Sequence, residues 1–255
     1  MKNIVYTLLL SICFQVSFAQ VKGVLYYKKT IDDKQTVTPR EENYIVYFAN
    51  NKSLETLRPV DVNSSNVQTG DNSVVKTVSL SGGKKKPFIF KDFIKNELKL
   101  ADRIDFKLYF VEDTLASMKW QLSNETMTIL KYKCTRATTN FRGRNYTAWF
   151  TDQLPMQNGP WKFSGLPGLI VKVSDDEKNY TYELEGVDFK AEFDTKTVSV
   201  PESYKDDSPI AQKEFISLYQ KKVNELEVQA KASVFVKGNV SGSSRSTIPP
   251  KMEKF

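Results

Sequence analysis

Two arginines and two tryptophans stand close together near the middle of the chain, at Arg142, Arg144, Trp149 and Trp161. A guanidinium group donates paired hydrogen bonds in one plane, which suits a carboxylate, a phosphate or a sulfate. An indole ring offers a flat apolar face, which suits a sugar ring or an acyl chain. If residues 142 to 144 lie on a strand, both arginine side chains point to one face. These four residues are therefore the candidate binding site.

The same arginines also have a structural interpretation. Each of them can pair with an internal carboxylate such as Asp113 or Asp152, and the pairs would then hold strands of a sheet together. A binding role requires exposed guanidinium groups and at least one partly exposed tryptophan, whereas the structural role requires internal ion pairs. The sequence leaves both interpretations open.

The chain contains no histidine, which removes several classes of enzyme from consideration. Ser-His-Asp and Cys-His catalysis, nearly all zinc hydrolase sites and haem ligation by histidine are excluded. A pair of carboxylates, a Ser-Lys arrangement or oxygen-ligated Ca²⁺ or Mg²⁺ stay open. The acidic run Asp175 to Glu177 has no calcium-loop spacing and is typical of a hairpin tip. We therefore expect no metal, no cofactor and no catalytic residue.

The first nineteen residues have the pattern of a secretory signal peptide. Lys2 is followed by the mainly apolar stretch 4–18, and Ser17-Phe18-Ala19 provides the small residues that a signal peptidase requires. Ile12 is too large for the position before a lipidated Cys13, so we expect cleavage after Ala19 without lipidation. Since no other segment is apolar enough to span a bilayer, we predict an exported protein of the periplasm or the outer-membrane surface that is soluble after cleavage.

Charge and cysteine content limit the partners. The formal net charge is +7, from 37 basic and 30 acidic residues, which favours acidic surfaces such as lipid headgroups or glycans. Nucleic acid is not expected, because the chain is exported and has no binding motif. Removal of the signal leaves Cys134 as a lone cysteine, which we predict to be buried and inert.

Short runs of Val, Ile, Tyr and Phe separated by polar residues predict a mainly β (α+β) protein. We expect one curved antiparallel sheet or half-barrel packed on a long C-terminal helix. The predicted domains are the signal peptide at 1–19, a single β domain at 20–237 with its helix at about 209–232, and a flexible tail at 238–255. The predicted strands are 21–30, 44–48, 73–80, 88–93, 97–100, 103–111, 127–137, 144–150, 169–173, 180–189 and 196–200.

The segment Gly165-Leu166-Pro167-Gly168-Leu169-Ile170 has the composition of a turn. Pro167 and Gly168 occupy the central positions of a type II turn, which requires a positive φ at the glycine. We interpret Gly165, Pro167 and Gly168 as a structural turn, since none of these side chains has chemistry to offer.

This hexapeptide and its surroundings resemble the GLPGLI family of exported bacterial envelope proteins. The resemblance extends upstream through Phe141-Arg142-Gly143-Arg144, Ala148-Trp149-Phe150-Thr151 and Gly159-Pro160-Trp161-Lys162-Phe163. It implies a Gram-negative envelope protein, often encoded near TonB-dependent outer-membrane receptors, with no settled activity. Asp113-Thr114-Leu115 is similar to an O-glycosylation acceptor of such bacteria, and whether Thr114 is modified stays open.

These observations lead to three functional hypotheses. The first is a non-enzymatic envelope protein that binds a hydrophobic or acidic ligand, such as a lipid or a glycan, or an outer-membrane partner, for example as accessory to a TonB-dependent receptor. The second is a histidine-free hydrolase with paired carboxylates, and the third is a purely structural accessory protein. A wide apolar concavity favours the first hypothesis, and a deep pocket with paired carboxylates favours the second. The sequence does not determine the oligomeric state.

Overall fold

The structure, a computed structural model, describes residues 22–32, 38–58, 85–115, 118–236 and 251–254. Within these ranges it contains twelve strands and one α-helix. The strands are β1 (Gly23–Ile31), β2 (Arg40–Ala49), β3 (Lys52–Leu57), β4 (Phe88–Asp92), β5 (Glu97–Ile104), β6 (Lys107–Thr114), β7 (Gln121–Ile129), β8 (Tyr132–Phe141), β9 (Arg144–Thr151), β10 (Leu169–Asp175), β11 (Tyr180–Asp188) and β12 (Ile210–Ala211); the helix is α1 (Gln212–Val236). The expected signal peptide and the expected strand at 73–80 lie outside the described residues.

All twelve strands belong to one sheet, in the order β12-β6-β5-β4-β3-β2-β1-β11-β10-β9-β8-β7. Neighbouring strands run antiparallel, except that β12 pairs with β6 in parallel. The expected mainly β fold is confirmed, but the sheet is mixed rather than wholly antiparallel. It is also open, since no pairing joins β12 to β7 among the described residues.

The sheet is strongly curved, as an ion pair between its distant parts shows. Asp113 lies on β6, and Arg142 lies in the turn that joins β8 to β9. Eight strand spacings separate β6 from β9 in the sheet, which is about 38 Å in a flat sheet. Yet Arg142 Nη2 lies 2.8 Å from Asp113 Oδ2. The two parts therefore approach each other across a concave face, which carries Asp113.

The two faces of the sheet are covered by different parts of the chain. On β4, Phe88 and Phe90 pack on the convex face with Tyr204, which belongs to the segment that follows β11. The alternate residue Lys91 points to the concave face. At the β5–β6 end, helix α1 inserts Phe215 into a cluster that also contains Leu98, Leu100 and Val111. The helix therefore covers one end of the sheet, and the remaining concave face is left to other elements.

Two predicted strands run through turns, and one strand was not predicted. The run 103–111 contains the end of β5 and the start of β6, which are joined at Asp105 and Phe106, with φ +55° at Asp105. The run 127–137, which was predicted as one strand, is the hairpin of β7 and β8, and it reverses at Leu130 with φ +54°. A leucine with positive φ gives no turn signal in the sequence. Strand β3 was not predicted, although it follows Asn50 and Asn51, whose φ angles of +54° and +58° suit a tight hairpin.

Two further predictions are wrong: one in the type of the element and the other in the residue at which it begins. The predicted strand at 196–200 is a short 3₁₀ turn, Thr195–Thr197, because the Asp194 side chain accepts a hydrogen bond from Lys196 N and caps it. The helix was predicted to begin at about residue 209. Instead, Ile210 first pairs with Val111 along the free edge of β6, and the helix begins at Gln212.

Cys134 lies on β8 with no exposed surface, which confirms its predicted burial. Burial also raises the pKa of its thiol, so less of the reactive thiolate is present at neutral pH. The inertness of Cys134 towards thiol reagents stays a prediction.

Candidate functional site

Arg142 lies in a turn and not on a strand. Phe141 pairs with Arg144 at the end of the β8–β9 hairpin, so Arg142 and Gly143 form its two-residue turn. Their φ angles are +46° and +79°, the signs that a type I′ turn requires. The expectation that Arg142 and Arg144 share one strand face is therefore wrong, because the backbone reverses between them.

Both acidic partners of Arg142 come from distant parts of the chain. It contacts Asp113 on β6 at 2.8 Å and Glu253 at 2.7 Å. Lys162 Nζ contacts the same two carboxylates, Glu253 at 2.7 Å and Asp113 at 3.3 Å. Burial alone would lower the pKa of Arg142, but Glu253 and Asp113 raise it above its ordinary value. We call Asp113, Arg142, Lys162 and Glu253 the ion cluster.

Arg144 is buried and engaged in a second set of contacts. Its Nη1 lies 2.9 Å from Asp175 Oδ2 and 3.1 Å from Glu177 Oε2. Its Nη2 donates a 3.4 Å hydrogen bond to Lys251 O, whereas its Nε has no partner among the described residues. Hydrogen bonds from Lys254 and Arg144 lower the pKa of Glu177 to about 2.

The two tryptophans do not meet. Trp161 packs against Phe163 and Phe141, with ring centroids 5.1 and 5.9 Å apart. Trp149 alternates on β9 with the buried Ala148 and Phe150, so its side chain leaves the opposite face of the strand. The structure thus brings Arg142, Arg144 and Trp161 into one region and places Trp149 elsewhere.

Residues 251–254 join the two arginine sites. This segment belongs to the tail that was predicted to be flexible at 238–255, yet it is firmly packed. Met252 is buried in the main core, and Tyr146 donates a hydrogen bond from its hydroxyl to Met252 O. Lys251 Nζ contacts Asp102 Oδ1 on β5 at 2.7 Å, while Lys254 N donates to Arg142 O at 3.0 Å. This segment, which we call the strap, therefore bridges distant strands of the curved sheet.

The glycine-rich turn is held by close backbone contacts. Gly165 and Gly168 have positive φ angles of +87° and +153°. The hydrogen bond observed in the turn runs from Gly168 N to Leu166 O at 2.8 Å, so the turn around Pro167 is tighter than the expected type II turn. A Cβ at Gly168 would lie 2.0 Å from Thr151 O, which leaves no room for any side chain.

A cavity of about 580 Å³ opens on the concave face beside the strap. Much of its lining is apolar or aromatic, and the strap itself supplies part of one wall through residues 251–253. The apolar and aromatic residues around it include Ile31, Tyr44, Leu57, Leu100, Phe106, Trp161, Tyr180, Tyr182 and Met252. Among the four candidate binding residues, only Trp161 lines this cavity.

Glu55 and Lys29, which line the cavity, and the neighbouring Lys91 have shifted pKa values. Burial raises the pKa of Glu55, and the positive charge of Lys91 partly opposes this rise. Burial lowers the pKa of Lys91 to about 7, with Glu55 acting in the opposite direction. Lys29 Nζ lies 5.5 and 5.4 Å from the ring centroids of Tyr180 and Tyr182, and burial lowers its pKa as well. The cavity therefore combines apolar and aromatic side chains with ten charged ones among the described residues, including the buried Glu55.

Sequence reasoning did not find Glu55 or Lys29. Strand β3 has the sequence Lys-Ser-Leu-Glu-Thr-Leu, in which the polar Glu55 follows the apolar Leu54. This order is typical of a strand with one exposed face, which would leave Glu55 exposed and Leu54 buried. In the structure Leu54 packs on the convex face, and Glu55 is buried on the concave face. The alternation is visible in the sequence. Which face of the sheet becomes buried depends on where the segment after β11 packs, and no local sequence pattern predicts that position.

The carboxylates of the described residues do not form a metal site. Among the described residues, no group of three or more Cys, Asp or Glu side chains is placed to hold a metal ion. Asp113 and Glu253 both contact Lys162, and both form ion pairs within the ion cluster. In the part of the chain that the structure describes, no helix has the length and apolarity needed to cross a bilayer.

The comparisons with known proteins concern the fold and one segment. A family model described as a protein of unknown function (Porph_ging) matches residues 141–172, the stretch that carried the sequence resemblance, although its description does not use the GLPGLI name. No curated protein matches the chain. Two structures of PNGF-II match at 15% and 14% identity with TM-scores of 0.53 and 0.52. Each match covers 80% of this chain and 34% of the PNGF-II chain, so the chain spans about a third of PNGF-II.

A further structural match is the LolA superfamily protein NE2245 from Nitrosomonas europaea. It has 9% identity and a TM-score of 0.32, over 72% of this chain and 92% of that one. At these identities, the likeness to PNGF-II indicates a similar fold and leaves the activity open. The chain is thus similar, over residues 141–172, to a family of unknown function, and over most of its length to part of PNGF-II.

Proposed function

We propose that this protein binds a small ligand with a large apolar part in the cavity on the concave face. The observation that carries the proposal is the cavity itself, whose volume of about 580 Å³ is in the range of small-molecule sites, roughly 300 to 1,000 Å³. Such sites combine mainly apolar and aromatic walls with a few placed polar groups. Tyr44, Tyr180 and Tyr182 supply walls of this kind, and ten of the described residues that line the cavity are charged.

The charges around the cavity favour an apolar ligand over a strongly acidic one. Lys162 and Lys251, which both line the cavity, already contact Glu253 and Asp102 at 2.7 Å. Arg40 is likewise paired with Glu42 at 3.3 Å. Because these cations are already neutralised within the protein, they add little attraction for an anionic ligand.

The bacterial envelope as the site of action is part of the same proposal. It rests on the signal sequence over residues 1–19 and on the resemblance of residues 141–173 to exported proteins. An outer-membrane partner or receptor stays a proposal without a surface assigned to it. The arginines that the sequence nominated for such a partner contact the strap of the same chain.

Binding of a neutral apolar fluorophore tests the proposal. We expect the fluorescence of N-phenyl-1-naphthylamine to rise on addition of the full-length mature protein. Leu57→Glu places a charge in the cavity wall and is expected to weaken probe binding about fivefold or more. Leu57 is 42% exposed, so the substitution is compatible with the fold.

The matched control is Leu122→Glu. Leu122 lies on β7, is 59% exposed and does not line the cavity. This variant should bind the probe like the wild type. Loss of binding to the same extent in both variants, or no fluorescence change with the wild type, would contradict the proposal.

A further inference from the structure

Glu55 is a buried carboxylate with one oxygen in use. Its side chain is on β3, only 3% of the residue is exposed, and it lines the cavity. Its Oε2 accepts a 2.8 Å hydrogen bond from Trp161 N. Its Oε1 is buried and has no hydrogen-bond partner among the described residues. A buried charged acceptor without a donor is costly, so its persistence needs an explanation.

The other carboxylates of the cavity do not share this property. Each of them lies within 4 Å of a cationic nitrogen: Glu42 of Arg40, Asp102 of Lys251, Asp105 of Lys222 and Glu253 of Lys162. Among the described residues of the cavity, Glu55 is therefore the one carboxylate that forms no ion pair within 4 Å and has an oxygen that accepts no hydrogen bond.

The charge of Glu55 is nevertheless balanced from a distance. Lys91 and Lys29 both interact with it electrostatically. The Lys91 Nζ, however, donates its hydrogen bonds to Gly159 O at 2.8 Å, Phe163 O at 3.0 Å and Asn158 Oδ1 at 3.2 Å. In its charged form, Lys91 uses all three of its N–H donors on these three acceptors. Lys91 thus supplies positive potential near Glu55 and has no hydrogen bond left to give it.

The chemical group that best satisfies Glu55 Oε1 is an uncharged hydrogen-bond donor. An anionic head would be repelled by Glu55, and a second cation would have to lose its hydration next to Lys91. A hydroxyl group avoids both costs and donates one hydrogen bond to Oε1. The apolar walls around Ile31, Leu100 and Met252 suit the remainder of such a molecule.

We propose that Glu55 recognises the ligand of this cavity by accepting a hydrogen bond from a neutral hydroxyl head group, and that the ligand class is a long-chain or otherwise apolar alcohol. This inference rests on the proposed function, because it assigns the polar contact of the same cavity. It extends that proposal from an apolar ligand to one with a defined head group.

Two isomers of one composition separate the hydrogen bond from apolar burial. 1-Decanol and 1-methoxynonane have the same atoms, but only the alcohol has a donor, and the ether is the more apolar of the two. We expect 1-decanol to displace N-phenyl-1-naphthylamine from the wild-type protein at a concentration about tenfold lower than the ether, because hydrogen bonds to charged groups are strong. Decanoate should be a weaker competitor than 1-decanol.

Glu55→Gln tests the assignment to this side chain. When its carbonyl oxygen accepts from Trp161 N, its amide nitrogen takes the place of Oε1 and can donate equally well to an alcohol and an ether. The preference for 1-decanol should therefore fall below about threefold. Glu41→Gln is the control, since Glu41 lies on the neighbouring strand β2 with 59% of its side chain exposed, and it should keep the wild-type preference.

The outcomes distinguish this inference from the proposed function. Probe binding to the wild type with equal displacement by both isomers, or with a preference for the ether, would overturn the role of Glu55 and leave the apolar cavity in place. Absence of any probe binding would overturn both. The comparison of isomers on the wild type decides the inference even if Glu55→Gln does not fold.

Discussion

Gly165 and Gly168 lie in the same turn and both have positive φ angles, but their surroundings differ. A Cβ at Gly168 would come within 2.0 Å of Thr151 O, whereas a Cβ at Gly165 would meet only Trp120 Nε1 at 4.0 Å. We expect Gly165→Ala to lower the free energy of unfolding by about 1–2 kcal/mol, through backbone strain alone. Gly168→Ala should cost more than about 3 kcal/mol, because the backbone must also move. Chemical denaturation of both variants measures the difference, and equal costs would show that the contact with Thr151 relaxes freely.

At the scale of single residues, the sequence predicted the chemistry of the arginines better than their surroundings. The arginines do bind carboxylates, as their chemistry predicts. The carboxylates that Arg142 binds, however, are Asp113 and Glu253 of the same chain. Glu253 lies 111 residues away along the chain, and no local pattern connects the two. Whether the four nominated residues bind an external partner stays a prediction.

At the scale of elements, periodicity identified most strands and the helix, and its errors have both local and long-range causes. The turn at Leu130 lacks a turn residue, and the helix start is delayed because β6 offers a free edge to Ile210. The tail was expected to have little to hold it, since residues 238–255 are mostly small or charged. Residues 251–254 are instead fixed by Met252 in the core and by two sets of ion pairs, which depend on strands far away in sequence.

The strap gives the element-scale prediction. Glu253→Gln keeps the shape of the side chain but leaves Arg142 and Lys162 with Asp113 as their remaining carboxylate in the ion cluster. Because this cluster is largely buried, we expect a loss of about 2–4 kcal/mol in the free energy of unfolding. Lys254→Met removes an exposed pair with Glu177 and should lower the stability much less than Glu253→Gln does. Thermal and urea unfolding compare the two, and an equally small effect of both would indicate that the strap contributes little to stability.

At the scale of the whole molecule, the curvature of the sheet produces the cavity. Fold class is readable from the alternating apolar runs, but curvature is not, because it follows from contacts between strands that are eight positions apart in the sheet. The same contacts bring Trp161 and the strap over the concave face, where they line the cavity together with Glu55. The site thus depends on long-range packing, which explains why sequence reasoning nominated one of its residues, Trp161, and missed the others.

The most direct test of the central claim is to locate a bound ligand by nuclear Overhauser contacts between 1-decanol and the isotope-labelled protein. A ligand in the cavity predicts contacts with Ile31, Tyr182 and Met252, all of which line it, and none with Val198 of the convex face. Contacts confined to the convex face or to the exposed strand β7, or no contacts at saturating 1-decanol, would contradict the account.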